Sequence, residues 1–271
     1  MCETGVNISK SVSAKPIYRV EQENSLIQSI SILDIRVDIF TRSQFKTLIL
    51  HYLKTKRRGW FSYINIHTID VAQKILWFKE FLDLSLVSYC DGEGVRLGAR
   101  LLGEHIPERI TLSDYIYDIA EIAVEYDLKF FFLGGTSTVA ERAAKKLKEL
   151  HPALKISGYH HGFFPESEND SVINMINACQ PDILFLGMGV PLQEAWTKKN
   201  FPKLNVNLIW MGGGFLDTAS GDKMNCPHWL GAIGFEWVFR LIQEPQRLWK
   251  RYLIGNPLFL LRILQARFFK R

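Results

Sequence analysis

Asp91 opens the run Asp91-Gly92-Glu93-Gly94 directly after the apolar residues 84–89, which places a carboxylate at the carboxyl end of a strand. Enzymes with α/β folds keep their reacting groups at that edge, and a carboxylate there can accept the proton of an attacking hydroxyl. A free Asp, with a pKa of ~3.9, is a weak base at neutral pH, so it acts late, as the hydroxyl becomes acidic in the transition state. Burial strengthens it. The local sequence equally allows Asp91 to cap the helix that follows. A second stretch, residues 181–196, reads Pro-Asp-Ile-Leu-Phe-Leu-Gly-Met-Gly-Val-Pro-Leu-Gln-Glu-Ala-Trp. Its apolar half suits a strand buried on both faces, Gly187 and Gly189 permit a tight turn, and Pro191 suits the first turn of a helix holding Gln193 and Glu194. The free N–H groups at that helix start make a seat for a phosphate, unless the glycines only close a loop. Gly134-Gly135 and Gly212-Gly213-Gly214, the latter followed by Asp217, repeat the pattern of strand then glycine. Gly135 and Gly213 could serve backbone geometry alone, and Asp217 could cap a turn or helix as readily as enter a pocket. A carboxylate beside turns able to hold a diphosphate fits a transfer reaction in which a phosphate leaves.

The elements that must position these groups alternate in type. Residues 30–40 read as a strand, 43–56 as a helix, and 60–66 as a strand delivering Asn65 and His67, which is already a β-α-β rhythm. A helix over 69–81, the strand 84–89 and a helix over 95–102 follow. Beyond the linking segment 103–111 come a helix at 114–126, a strand at 129–133, a helix at 138–150, a short strand at 155–157 and a loop at 158–162. Strands at 183–186 and 207–211 complete the series. The pattern predicts a Rossmann-like α/β fold, a mostly parallel sheet flanked by helices with ligands at its carboxyl edge. Three segments are expected: a mobile polar stretch at 1–24, an α/β catalytic domain at 25–221, and a helical appendage at 222–271 with helices over 229–243, 245–254 and 257–269.

The chain has 271 residues and a net charge of +5, unevenly placed. From Gln246 onward it carries seven basic residues, among them Arg247, Lys250 and Arg251, and no acid, which leaves the remainder at −2. Aromatic and aliphatic residues interleave with these charges, a makeup that can lie in a membrane interface with cations toward the lipid head groups. At ~1 kcal/mol per basic residue near an anionic surface, half of the seven would suffice for reversible attachment. The plainer reading packs the aromatics onto the core and leaves the arginines solvated. No stretch reaches the ~18 uncharged apolar residues of a bilayer span, and the amino terminus lacks the apolar core of a signal peptide. No nucleic-acid recognition module is visible. Four cysteines without metal-ligand spacing fit a reduced cytoplasmic compartment and no disulfide framework. His160 and His161 are expected to point apart, and with no third ligand they are read as loop or acceptor-side residues, not as a metal site. Glu236 and Trp237 are expected to dock the appendage on the core.

Taken together and in order, Asp91-Gly92, Glu108-Arg109-Ile110-Thr111, Gly134-Gly135, residues 158–164, Gly187-x-Gly189-x-Pro191-x-Gln193-Glu194-x-Trp196, Gly212-Gly213-Gly214-Phe215-x-Asp217 and Phe235-Glu236-Trp237-x-x-Arg240-Leu241-x-x-Glu244-Pro245-x-Arg247 form a set. The set resembles the WecG/TagA/CpsF family of bacterial glycosyltransferases over residues 30–252. The resemblance implies an inverting enzyme that moves a sugar from a UDP-sugar donor to a polyprenyl-diphosphate-linked sugar acceptor during assembly of a cell-surface polysaccharide, of teichoic-acid, capsule or exopolysaccharide type. It implies no cofactor and no required metal, and a position peripheral on the cytoplasmic face of the membrane, reached through the carboxy-terminal appendage. Asp91 matches the family's proposed base, and Asn65, Arg109 and Gln193 match its polar pocket. Arg240, Arg247 and Lys250 match basic positions of the appendage, with Arg251 beside them, as partners for a diphosphate or the membrane. Gly135, Gly187, Gly189, Glu194, Gly213 and Asp217 complete the expected substrate site. A homo-oligomer is allowed. This chain departs from the pattern at Tyr63, where a threonine is usual, at Ser113 in place of glycine, and at Asn225-Cys226-Pro227 in place of Arg-Ala-Pro, which puts the identity of the sugar in question. Two other functions are weighed. A dinucleotide-dependent oxidoreductase would need a third glycine where Leu192 stands and a ribose-binding acid about twenty residues on. A non-catalytic membrane scaffold would not need Asp91, Arg109 and Gln193 together.

Overall fold

In the computed structural model, which describes residues 27–227, 230 and 234–269, short apolar runs pair into one eight-stranded sheet. The strands are β1 (Gln28–Ile32), β2 (Ile35–Ile39), β3 (Gly59–Ile64), β4 (Val87–Cys90), β5 (Lys129–Gly134), β6 (Lys155–His160), β7 (Ile183–Gly187) and β8 (Leu208–Met211). They lie in the order β1-β2-β4-β3-β8-β7-β5-β6. Only β1 and β2 run antiparallel; every other pairing is parallel. Parallel strands need covering on both faces, and the buried residues of β5, β7 and β8 read as unbroken apolar runs for that reason. The expected mobile segment at 1–24 and the expected helix start at Trp229 lie outside the described residues.

Helices fill both faces. α1 (Arg42–Lys54), α5 (Leu112–Glu125), α6 (Val139–Leu150) and α9 (Phe215–Ala219) close one core with Phe61, Phe132, Phe185 and Trp210 of the sheet. On the other face, α2 (Ile66–Lys74), α3 (Leu76–Asp83) and α4 (Glu93–Leu101) close a second, and α7 (Asn169–Cys179) with α8 (Leu192–Asn200) a third. Registers set the level of the strand ends: Ile64 pairs with Cys90, Gly134 with Gly187, and Leu186 with Met211. Asn65, Asp91 and the glycine turns therefore leave the sheet along one edge.

Several boundaries differ from the sequence reading. The strand expected over 30–40 is a hairpin, because Leu33 and Asp34 take positive φ of 50° and 62° and turn the chain without the usual Asn-Gly signal. The helix expected over 69–81 is two helices, broken where Ile75 adopts an extended conformation. Strand β6 continues to His160, so Gly158 and Tyr159 pair with β5 and are not in a loop. The helix after Pro191 begins at Leu192, with Pro191 at its cap.

The last helices carry the largest difference. α10 (Glu236–Gln243) is followed by α11 (Pro245–Trp249), a π-helical segment (Lys250–Gly255) and α12 (Asn256–Phe269) in one continuous run, not two separate helices. Pro257 accounts for the wider turns: its ring would meet the carbonyl four residues back in a regular α-helix, and the π segment ends just before it. Phe259 and Ile263 are 3 % and 0 % exposed, packed in the same core as Val95, Ala99 and Ile106. Gly98 makes the contact possible, since a Cβ there would stand 2.8 Å from Phe259 Cζ. Arg262 reaches Asp70 of α2 at 3.2 Å.

Candidate active site

Asn65 and Asp91 leave β3 and β4 side by side. Asn65 caps α2: its Oδ1 accepts from the Thr68 N–H at 3.0 Å, while the Thr68 hydroxyl accepts from the Asn65 N–H at 2.8 Å. With its carbonyl engaged in this way, Asn65 turns Nδ2 toward Asp91 and donates to Oδ2 at 3.3 Å. Asp91 caps nothing, because Gly92 occupies the N-cap of α4 and no side chain bonds that helix start. Tyr89, buried two residues earlier, accepts from Trp210 Nε1 at 3.0 Å and donates to the Met211 carbonyl at 3.3 Å, which ties the base of Asp91 to the strand carrying the glycine turn. Burial pushes the Asp91 carboxyl up to about 6. The Arg240 guanidinium opposes the rise, Glu236 adds to it, and Arg109 and the Asn65 amide oppose it. Such a group is mostly ionised at neutral pH and is a stronger base than a free Asp.

Two cavities meet at this carboxylate. One, of about 390 Å³, lies along the glycine turns and includes Gly135, Gly187, Gly189, Gly213 and Asp217 in its wall. The other, of about 820 Å³, opens between α4 and the last helices and includes Trp237, Tyr252, Leu253 and Leu260. Asn65, Asp91, Arg109, Glu236, Arg240 and Arg251 line both. The smaller cavity is the more closely built. Gly213 takes φ of +57° with the Tyr63 hydroxyl 2.7 Å from where a Cβ would stand, so only glycine fits there. Its N–H donates to Gln193 Oε1 at 3.1 Å. Phe163, 74 % exposed, stands at the rim on a loop fixed by the Gly162 N–H donating to the Gly135 carbonyl at 2.9 Å.

Charge around Asp91 is balanced by the appendage. Glu236 receives hydrogen bonds from Arg109 and, at 2.8 Å, from Arg240 Nε. Burial works against ionisation of Glu236, but the two guanidiniums outweigh it and hold its carboxyl below the usual range. Arg247 pairs with Glu244, and Asp217 with Lys223, at the wall of the smaller cavity.

The structure brings most of the expected residues to the two cavities, with three exceptions. Gln193 and Glu194 are 0 % and 2 % exposed and lie behind the glycine turn. Gln193 Nε2 donates to Glu194 Oε1 at 2.8 Å, while Glu194 Oε2 has no hydrogen-bond partner. Burial pushes the Glu194 carboxyl up to about 8, so it is mostly protonated at pH 7. The Gln193 N–H donates to the Gly189 carbonyl at 3.0 Å, which removes one of the free donors expected at that helix start. Lys250 is exposed, over the Trp249 ring at 5.4 Å, and lines neither cavity. The rings of His160 and His161 stack at 4.3 Å, contrary to the expectation that they point apart, because His160 Nδ1 meets the His161 carbonyl at 2.8 Å. Glu236 and Trp237, expected to dock the appendage on the core, also line the larger cavity, and Glu236 joins α10 to Arg109. The spacing of Glu236 and Arg240, four residues apart on a helix, was the available signal for Glu236, but its partner at Arg109 is 127 residues away. Among the described residues no group of three or more His, Cys, Asp or Glu is placed to hold a metal ion.

Similarity to known proteins agrees with this geometry. The model of the glycosyl transferase WecG/TagA/CpsF family matches residues 30–271. A protein of Staphylococcus aureus strain MW2, named N-acetylglucosaminyldiphosphoundecaprenol N-acetyl-beta-D-mannosaminyltransferase, is 27% identical over 205 residues, covering 75% of this chain and 78% of that protein. The like-named protein of strain NCTC 8325 / PS 47 matches to the same extent. With the family pattern running through both cavities to the last helix, this chain belongs to the WecG/TagA/CpsF family and is a glycosyltransferase.

Proposed function

We propose that the protein transfers an N-acetylhexosamine from a UDP-sugar to an N-acetylglucosaminyl diphosphate carried on a polyprenol, with inversion and with Asp91 as general base. The observation that carries this reading is the place of Asp91 at the junction of the two cavities. The donor occupies the smaller cavity: the exposed Phe163 ring offers a stacking face for the base at the rim, and the glycine turns and Arg247 suit the diphosphate. The acceptor enters through the larger cavity, where Arg240 and Arg251 suit its diphosphate. The acceptor hydroxyl attacks the anomeric carbon, the bond from that carbon to the diphosphate oxygen breaks, UDP leaves, and the hydroxyl proton passes to Asp91. A single displacement on an α-linked donor gives a β product, the linkage in the name of the relatives.

The last helix supports a peripheral position on the membrane face where such a carrier resides. One side of α12 is core, while Leu258, Leu261 and Phe268 on the other are 45 %, 56 % and 69 % exposed, and Ile254 of the preceding π-helical segment is 48 % exposed. A helix apolar on both sides needs a second apolar surface. No helix among the described residues is long and apolar enough to cross a membrane.

The test is UDP release from a panel of UDP-sugars with and without the lipid-linked acceptor. Asp91→Asn keeps the shape and removes the base, so acceptor-dependent release is expected to fall by about 10²-fold or more while UDP binding persists. Equal release by parent and variant would place the base elsewhere.

A further inference from the structure

At about 820 Å³ the larger cavity is sized for a ligand well beyond a single sugar, and its wall changes character along its length. Around Asp91 it is polar, with Asn65, Arg109, Glu236 and Arg240. Helix α4 leads away from that end at about 1.5 Å per residue, so Leu97 stands about one turn beyond Glu93. Leu253, Pro257 and Leu260 face it from the last helices. Leu97 and Leu253 are 43 % and 55 % exposed, so they line the open groove without being part of the core. Beneath them the seam is shut by Gly98 against Phe259 and Ile263. The outer end of the groove adjoins the apolar face of the last helix, because each wall residue there is followed in sequence by a residue of that face: Leu253 by Ile254, Pro257 by Leu258 and Leu260 by Leu261.

A polar end that seats a sugar diphosphate, followed by an apolar groove leading to a membrane-facing surface, matches one molecule in order: sugar, diphosphate, hydrocarbon. We propose that the groove between Leu97 and Leu253 takes the first isoprenoid unit of the acceptor's carrier, so that the protein reads the carrier as well as its head. This rests on the acceptor assigned above. Arg100, exposed farther along α4 in the same wall, can lay its stem over the chain and keep its head in water.

The experiment compares N-acetylglucosaminyl diphosphate esters of methanol and of geraniol with the full-length protein, below micellar concentrations and without vesicles or detergent, so that partition into a membrane plays no part. If one prenyl unit is buried, KM for the geranyl ester is expected to be at least about tenfold lower than for the methyl ester. Leu97→Gln and Leu253→Gln, at exposed positions, are expected to shrink that ratio. Equal KM values in the parent, or a ratio that both variants leave unmoved, would overturn the groove. Calorimetric binding of the same two esters gives the comparison without turnover. Retained preference for the geranyl ester with no sugar transfer would sink the proposed transfer to this acceptor and uphold the groove, whereas transfer without preference would do the reverse.

Discussion

Asp91 and Glu194 are both carboxyls raised by burial, and they differ in what faces them. Asp91 meets the guanidiniums of Arg240 and Arg109 and the Asn65 amide, which limit its rise to about 6. Glu194 is opposed by the Gln193 amide and its own backbone N–H, and one of its oxygens has no hydrogen-bond partner. The acidic limb of kcat/KM is therefore expected near pH 6 and to follow Asp91, whose protonation removes the base. Glu194 governs stability. Its folded pKa of about 8 lies above the ordinary 4.5, so the folded protein holds a proton that the unfolded chain has released. The stability this contributes is full below the ordinary value and is lost as pH rises through the folded one. Glu194→Gln keeps the shape without the titration, so the Tm of the variant relative to the parent is expected to climb by about several degrees between pH ~5 and pH ~8. A constant difference would show that Glu194 ionises as a free carboxyl does. Tyr63 belongs to the same layer, with its hydroxyl beneath Gly213 and its side chain in the wall of the smaller cavity. Tyr63→Thr is expected to enlarge that cavity and change the order of preference among UDP-sugars in a turnover panel; an unchanged order would remove Tyr63 from sugar selection.

Between elements, the contacts that matter join the last helices to the sheet edge. Glu236 of α10 sits between Arg109 and Arg240, and its negative charge adds to the rise that burial gives the Asp91 carboxyl, while the two guanidiniums oppose it. Glu236→Gln removes that charge at constant shape, so the acidic limb of the pH–rate profile is expected to move to lower pH. A limb that stays in place would mean that Asp91 does not sense the appendage. The seam of α4 with α12 is steric: Gly98 allows the Phe259 ring to lie against the helix backbone. Gly98→Val would force that ring from a buried position, with an expected loss of about 1–3 kcal/mol in a denaturation experiment.

For the whole molecule, two surfaces of one terminal helix are asked to serve different neighbours. Because Leu248, Phe259 and Ile263 are core residues, removing residues 246–271 would uncover the core as well as delete the apolar face, and point substitutions separate the two. Leu258→Glu with Leu261→Glu is expected to release the protein from anionic vesicles in a flotation assay while thermal unfolding stays close to that of the parent; full retention would place attachment elsewhere. The alternation of apolar runs with helical periods was enough to determine the class of fold and the sheet edge at which Asp91 stands, because strand and helix periods and glycine turns are local properties of the chain. Only the tertiary structure decided that Gln193 and Glu194 turn inward, that Glu236 completes the site from 127 residues beyond Arg109, and that the terminal helix is half core. Those outcomes depend on which charges and apolar faces meet across the sheet, and local sequence carries no record of a partner far along the chain.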